Sequence, residues 1–522
     1  MQKIRRCRLP FLVALASLAA CGAPDGVPVD RQPTGPAPQS FKASINQSAS
    51  GDPSRSASTL SVATTTLGKG TAVIGYASKP VGAPTAAWSF SLDAGASWSA
   101  HRSDEEGEFH WPDPPVSSDS FAYYGDAPTM ISLDAFPGVV VAVVSAYGTQ
   151  AAAIDVILLL STDGGAHFKD PRLVYTEYLD QAGAAPAIEY VTAGPLIGSG
   201  EGAGATVWTL FRNHKYWAMH RYTYDPISQR LQTVIENYSP YINLNLDETT
   251  NKIPTGPASI LATFNAMGKE TVYIAWPSYD NQFDTCPSQT PLSPTVDVRW
   301  RLSFASVVDK NNNLDTSAGI DLDHDTSWPR CLGDGTELFK NNPRSALVMD
   351  PVSHTFWVAH NRSVAKAGSE VVVHRVPETL TNLVGGAPLS ATLNDSGGAL
   401  AGVHDQWAPS LALVHPVGAL QPTVAVAWHD MRDDPASPGT RTSIWGAFTQ
   451  SETMDPAEPL VFSAGRITPL IPGPQAVPWA LTDYWGRYDG MAANPATGDF
   501  LVAWGDNRSG GKTQVWTSRI AP

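Results

Sequence analysis

Charge is scarce in this chain: Lys, Arg, Asp and Glu together make up 16% of its 522 residues. What charge there is runs acidic, with a formal net charge of −15. That excludes a general nucleic-acid or anionic-lipid binder, both of which need a basic face. Cysteine is nearly absent, at four residues, and no paired Cys/His spacing marks a zinc finger. Long amphipathic helical stretches are missing. The longest apolar run, residues 11–20, is too short to cross a bilayer as a helix. There is no metalloprotease HExxH, no phosphate-binding Gly-rich loop and no nucleophile elbow, so three large enzyme classes have no foothold.

Gly and Pro are plentiful, at 43 each, with 16 Trp. This composition fits many short strands joined by tight turns. The N-terminus reads differently. Lys3, Arg5, Arg6 and Arg8 form a basic head ahead of the apolar run, which ends in Leu18-Ala19-Ala20-Cys21. Head and run together make a secretory signal over residues 1–20. The closing tetrapeptide resembles the lipobox of bacterial lipoproteins. That resemblance implies lipidation of Cys21, cleavage before it and attachment to a bilayer through this anchor. Gly22 stands where an Asp would direct inner-membrane retention, so the resemblance points to the outer membrane or cell surface. Two or more acyl chains on one residue anchor stably. Residues 21–50 then read as a Pro- and Ser-rich tether with little to bury, extended and mobile. Of the remaining cysteines, Cys7 leaves with the signal. Cys286 and Cys331 form an even pair in an exported chain, and a disulfide is the expectation.

From residue 51 to 522 a unit repeats. A polar or Pro-containing lead-in precedes one strand, and a second, apolar strand often ends in Ala-Trp. Lead-ins fall at Asp52-Pro53, Asp126-Ala127-Pro128, Gly194-Pro195, Gly256-Pro257, Asn342-Pro343, Ala408-Pro409 and Gly486-Arg487. Second strands fall at 71–76, 139–144, 206–211, 271–276, 355–359, 423–428 and 499–504. Seven units of four strands predict an all-β, seven-bladed β-propeller, or six blades if one unit is an insertion. A long insertion is expected around 280–335. Two segments share the pattern S-x-D-x-G-x-x-aromatic: Ser91, Asp93, Gly95 and Trp98, then Ser161, Asp163, Gly165 and Phe168. They resemble the Asp-box, or BNR repeat, of sialidase-like propellers. Their role is a hairpin turn between third and fourth strands, with Ser and Asp accepting turn N–H groups and Gly taking positive φ.

Antiparallel strands then put the lead-ins and the second-to-third turns on the face opposite these Asp-boxes. A ligand rim belongs there, and the tether should join near it. Lead-in residues Arg55, Asp126, Arg344, Tyr484 and Arg487 are the candidate site. The sialidase resemblance implies that three arginines grip a carboxylate, whose planar shape suits their fork. It also implies a Tyr nucleophile and an Asp acid/base. Ser54-Arg55-Ser56 stands where that family carries Arg-Ile-Pro, and no Glu is placed to assist Tyr484. The leading expectation is therefore a surface propeller binding a glycan or protein, with a sialidase-like glycoside hydrolase as the alternative. No cofactor is required. One loop, Asp309, Asn311, Asn313 and Asp315, has the oxygen spacing of a calcium site, although Leu314 replaces the usual Gly. A solvated Asn/Asp-rich loop is the other reading.

Overall fold

The computed structural model describes strands and turns within residues 42–522. Residues 1–41 lie outside the description, as does nearly every connection on one face. On the other face the same holds for 198–203, 308–313, 379–388, 416–421 and 450–459, and for isolated positions.

The strands form seven antiparallel sheets. The first blade is Ser56–Thr65, Thr71–Lys79, Thr85–Ser91 and Ser99–Arg102. The fourth is Ser259–Phe264 with Ile253–Pro254, then Glu270–Tyr279, Thr295–Val307 and Leu314–Pro329. The fifth is Ser345–Asp350, Thr355–Val364, Gly368–Pro377 and Leu389–Thr392. Innermost strands contact one another in sequence order, and the last, Gly490–Asn494, meets the first, Ser56–Thr65. The ring is closed, and the protein is a seven-bladed β-propeller.

Side-chain alternation explains why the second strands read as continuous apolar runs. Val140, Ala142 and Val144 pack towards the first blade, while Val139, Val141 and Val143 pack towards the third. A strand buried on both faces carries no polar alternation. The same split recurs around the ring. Seven apolar clusters fill the seven joints between neighbouring blades. Trp88, Trp276, Trp300, Trp428 and Trp504 are fully buried in them. Each large side chain so buried contributes about 1.5–3 kcal/mol.

The Ala-Trp endings have their own chemistry. Trp428 Nε1 donates to Asp430 Oδ2 at 2.9 Å, and Trp504 Nε1 to Asp506 Oδ2 at 3.3 Å. Residues two apart in a strand share a face, so each Asp accepts from the indole just before it.

The two Ser-Asp-Gly turns form as expected. Ser91 Oγ donates to Asp93 at 2.7 Å and accepts Gly95 N–H at 2.7 Å, and Asp93 accepts Ser97 N–H at 2.8 Å. Ser161, Asp163, Gly165 and His167 repeat these bonds at 2.7, 2.9 and 3.0 Å. Burial alone would raise both carboxyls. The serine, histidine and backbone donors outweigh it and hold them below the usual carboxylate range. Phe168 is buried edge-on against Trp88, and Trp98 packs against the joint between the seventh and first blades.

Four sequence expectations change. The propeller begins before residue 51: Lys42–Ala43 and Gln47–Ser48 pair with the C-terminal strand Gln514–Ala521 as the outermost strand of the seventh blade. Lys42 lies opposite Ala521, at the end where third strands run into Ser-Asp-Gly turns. The chain before residue 42 therefore joins at that face, not near the lead-in rim. Much of the supposed insertion at 280–335 is the lengthened third and fourth strands of the fourth blade. Gly194-Pro195 and Ala408-Pro409 are not lead-ins. Both sit inside innermost strands at register shifts, between Ala193 and Leu196 and between Trp407 and Ser410. A bulge tolerates the missing Pro N–H.

Candidate functional site

Arg55, Asp126, Arg344, Tyr484 and Arg487 lie outside the described residues, as do Cys21, Cys286 and Cys331. In the chain, Arg55, Asp126, Arg344 and Arg487 each stand one to three residues before an innermost strand, and Tyr484 six before one. Of the calcium-type loop, Asp309, Asn311 and Asn313 are outside the description. The Asp315 backbone is already in the strand Leu314–Pro329, opposite Ser306.

Within the described residues, one polar cluster sets a carboxylate against two buried imidazoles. Most buried carboxylates here are satisfied. Glu270 accepts from Thr206 Oγ1 at 2.6 Å, Trp208 Nε1 at 2.8 Å and Arg221 Nη2 at 2.6 Å. Glu378 accepts from the Tyr273 hydroxyl at 2.7 Å and from Ala266 N–H at 3.0 Å. Such groups hold blades together.

That cluster is Asp323, His360 and His374, in the joint between the fourth and fifth blades. Asp323 is on the outermost strand of the fourth blade, opposite Trp300. His360 and His374 are on the second and third strands of the fifth, where His374 pairs with Val358. His360 is therefore two residues from His374's partner, and both rings point into one joint. Trp300 stacks on His360 with ring centroids 4.3 Å apart. The His360 side chain is fully buried, that of Asp323 is 16% exposed, and His374 is 3% exposed.

The tautomers follow from the partners. His360 Nδ1 is 3.1 Å from the Asn361 carbonyl oxygen, which only accepts, so Nδ1 carries the proton and Nε2 presents a lone pair. That Nε2 is 2.7 Å from His374 Nε2 and 3.5 Å from Asp323 Oδ2. Asp323 Oδ1 accepts His324 N–H at 2.7 Å and Oδ2 accepts from Arg362 Nη1 at 3.3 Å, while Arg362 is itself paired with Glu370. His374 Nδ1 is buried and has no partner among the described residues. Burial is the main force keeping both rings neutral, with the Arg362 charge adding to it, and each titrates well below the usual imidazole range.

This has a measurable consequence. The unfolded chain takes up protons near 6.5, and the buried rings do not. Stability is full above that value and falls as pH drops below it. The slope is on the order of 1.4 kcal/mol per pH unit for each ring that stays neutral. Urea midpoints in chelator at pH 7 and pH 5 should fall more steeply for wild type than for His360→Gln/His374→Gln. Parallel lines for the two proteins would show that the rings are protonated in the fold.

None of Asp323, His360 and His374 stands among the sequence candidates. The signal was present: His360 follows Phe356-Trp357-Val358-Ala359 and His374 follows Val371-Val372-Val373. Each is the first polar residue after a buried apolar run.

No known family profile matches the sequence, and no curated protein matches it. Solved structures do. A protein of unknown function from Dyadobacter fermentans aligns at TM-score 0.42 and 11% identity, over 92% of this chain and 98% of that one. The GH93 α-L-arabinofuranosidase of Fusarium graminearum, solved with arabinobiose, aligns at TM-score 0.42 and 12% identity over the same shares. The phage phi92 endosialidase aligns at TM-score 0.39 and 9% identity, over 92% of this chain and 69% of that one.

Proposed function

We propose that the protein is an exported lipoprotein whose propeller presents its lead-in rim to a glycan or protein ligand. The observation that carries this reading is the pairing of Lys42 with Ala521. It sets Lys42 at the Ser-Asp-Gly face, so the chain leading from Cys21 would enter the propeller at the end away from the rim. About 20 residues of stem, at about 5–6 Å × √n, give roughly 25 Å of reach. The rim is then free to turn away from the bilayer.

Two measurements test the reading. Cys21→Ser should move the protein from the membrane fraction to the soluble fraction, and an unchanged membrane fraction would remove the anchor. On an array of acidic glycans, wild type should bind, and Arg487→Ala should lose about 10–100-fold in affinity, the worth of a charged hydrogen bond. Equal binding by both would take Arg487 out of the site. Turnover of a fluorogenic sialoside by wild type would promote the glycoside-hydrolase reading over simple binding.

A further inference from the structure

We infer that Asp323, His360 and His374 form a site for one divalent transition-metal ion of the zinc class, clipping the fourth blade to the fifth. Nothing in the proposed rim function requires this site, which lies in a joint between blades.

The argument is one of lone pairs and protons. His360 Nε2, His374 Nε2 and one Asp323 carboxylate oxygen all lie within 4.8 Å of one another. His360 Nε2 is bare because the Asn361 carbonyl takes the proton on the other nitrogen. The Asp323 oxygen carries negative charge. Without a metal, the one proton available to the two nitrogens is that on His374 Nε2, donated across 2.7 Å to His360. That leaves a carboxylate oxygen 3.5 Å from a nitrogen lone pair with no proton between them. A cation at the centre satisfies all three donors at once. The Asn361 contact is the outer hydrogen bond that metal-binding histidines use to fix the ring and expose the ligating nitrogen.

Donor type selects the ion. Two imidazoles and one carboxylate are a nitrogen-rich, borderline set, which suits zinc and its neighbours and not calcium or magnesium. Charge allows it, since Asp323 and Glu370 contribute two negative charges against the single positive charge of Arg362. Size requires a small movement. Two nitrogens about 2.05 Å from a tetrahedral ion stand about 3.3 Å apart. Loading therefore moves the rings apart by about 0.6 Å, and the His374 proton passes from Nε2 to Nδ1, so that the ring stays neutral while Nε2 ligates. Three protein ligands leave one position for water, reached past the partly exposed Asp323. The ligands come from two blades, so binding ties the lengthened outermost strand Leu314–Pro329 to the fifth blade, and metal affinity becomes stability of that joint.

The test uses the full chain, stripped with chelator and re-equilibrated with zinc, cobalt(II) or calcium. Metal analysis after gel filtration should find one zinc per chain. Cobalt should bind with the same stoichiometry and give the absorption bands of a nitrogen/oxygen-ligated ion. His374→Gln and Asp323→Asn, each checked for a native circular dichroism spectrum, should lose more than the roughly 10–100-fold that outer-shell changes cost in affinity. Zinc should raise the unfolding midpoint of wild type and not of either variant. Calcium should do neither, and calcium bound at one per chain in all three proteins would instead belong to the Asp309–Asp315 loop. Wild type that retains no zinc or cobalt overturns the site, and needs no variant to do so. Stoichiometric zinc undiminished in both variants places the metal elsewhere and overturns it equally.

Discussion

Removing residues 22–50 should open the ring, while removing only 22–41 should leave stability unchanged. The second segment is what separates the two truncations. In the closed ring Ser44 N–H donates to the Arg519 carbonyl at 2.8 Å, and Ala49 N–H to the Val515 carbonyl at 2.8 Å. Ser50 Oγ donates to Gln514 Oε1 at 2.6 Å and accepts Val515 N–H at 3.1 Å. Ala49, 2% exposed, seals the joint between the seventh and first blades, and its carbonyl accepts from the buried Ser89 Oγ at 2.6 Å. Five or so hydrogen bonds, each contributing about 0.5–1.5 kcal/mol net, set the loss at roughly 5 kcal/mol. The larger effect is topological. Without this strand, Gln514–Ala521 becomes a bare edge and a template for association. Chemical denaturation and gel filtration should show the longer truncation less stable and oligomeric, the shorter one unaltered. Equal stability of the two would mean that the pairing contributes nothing.

The second large effect separates two glycines in the same motif. Gly95 and Gly165 occupy the same position in the two Ser-Asp-Gly turns, with φ of 89° and 88°. An alanine at either suffers the left-handed backbone cost of about 1–2 kcal/mol. Their surroundings differ. A Cβ on Gly165 would stand 2.2 Å from Val73 Cγ2, on the second strand of the first blade, whereas on Gly95 it would meet Leu501 Cδ1 at 3.1 Å. Val73 is fully buried in a filled joint and has no room to yield. Overpacking there adds about 1–3 kcal/mol. Gly165→Ala should therefore lose about 2–5 kcal/mol and Gly95→Ala about 1–2 kcal/mol, read from urea unfolding. Similar losses at both sites would mean that the turn conformation alone decides, and that the turn does not press on the neighbouring blade.

These two cases show why some of the fold was legible and some was not. All seven second strands can be read from sequence, because a strand buried on both faces is a continuous apolar run with local turn residues at its ends. The Ser-Asp-Gly turns are legible for the same reason: every side-chain hydrogen bond given for them spans four residues or fewer. The closing strand is different. Lys42-Ala43 and Gln47-Ser48 are short, polar and exposed, and their partners are some 470 residues away in the chain. Nothing local distinguishes such an edge from a Ser-rich tether. The two false lead-ins fail for a related reason. Pro195 and Pro409 read as turns, while the innermost strand absorbs each in a bulge. The Asp323–His360–His374 cluster needs three strands and two blades to assemble. Only the register that sets His374 against Val358 brings the rings together. Spacing along the chain, at 37 and 14 residues, matches no metal motif.

The proposed orientation relies on the pairing of Lys42–Ala43 and Gln47–Ser48 with the last strand. Hydrogen–deuterium exchange of the intact protein, read on peptides covering 22–38, 42–50 and 514–521, tests it most directly. The amides of 42–50 that pair with the last strand should exchange slowly, together with 514–521, while 22–38 exchanges at the rate of free chain. If 42–50 exchanges as fast as 22–38, the N-terminal strand does not close the ring, and the stem has no fixed exit from the Ser-Asp-Gly face.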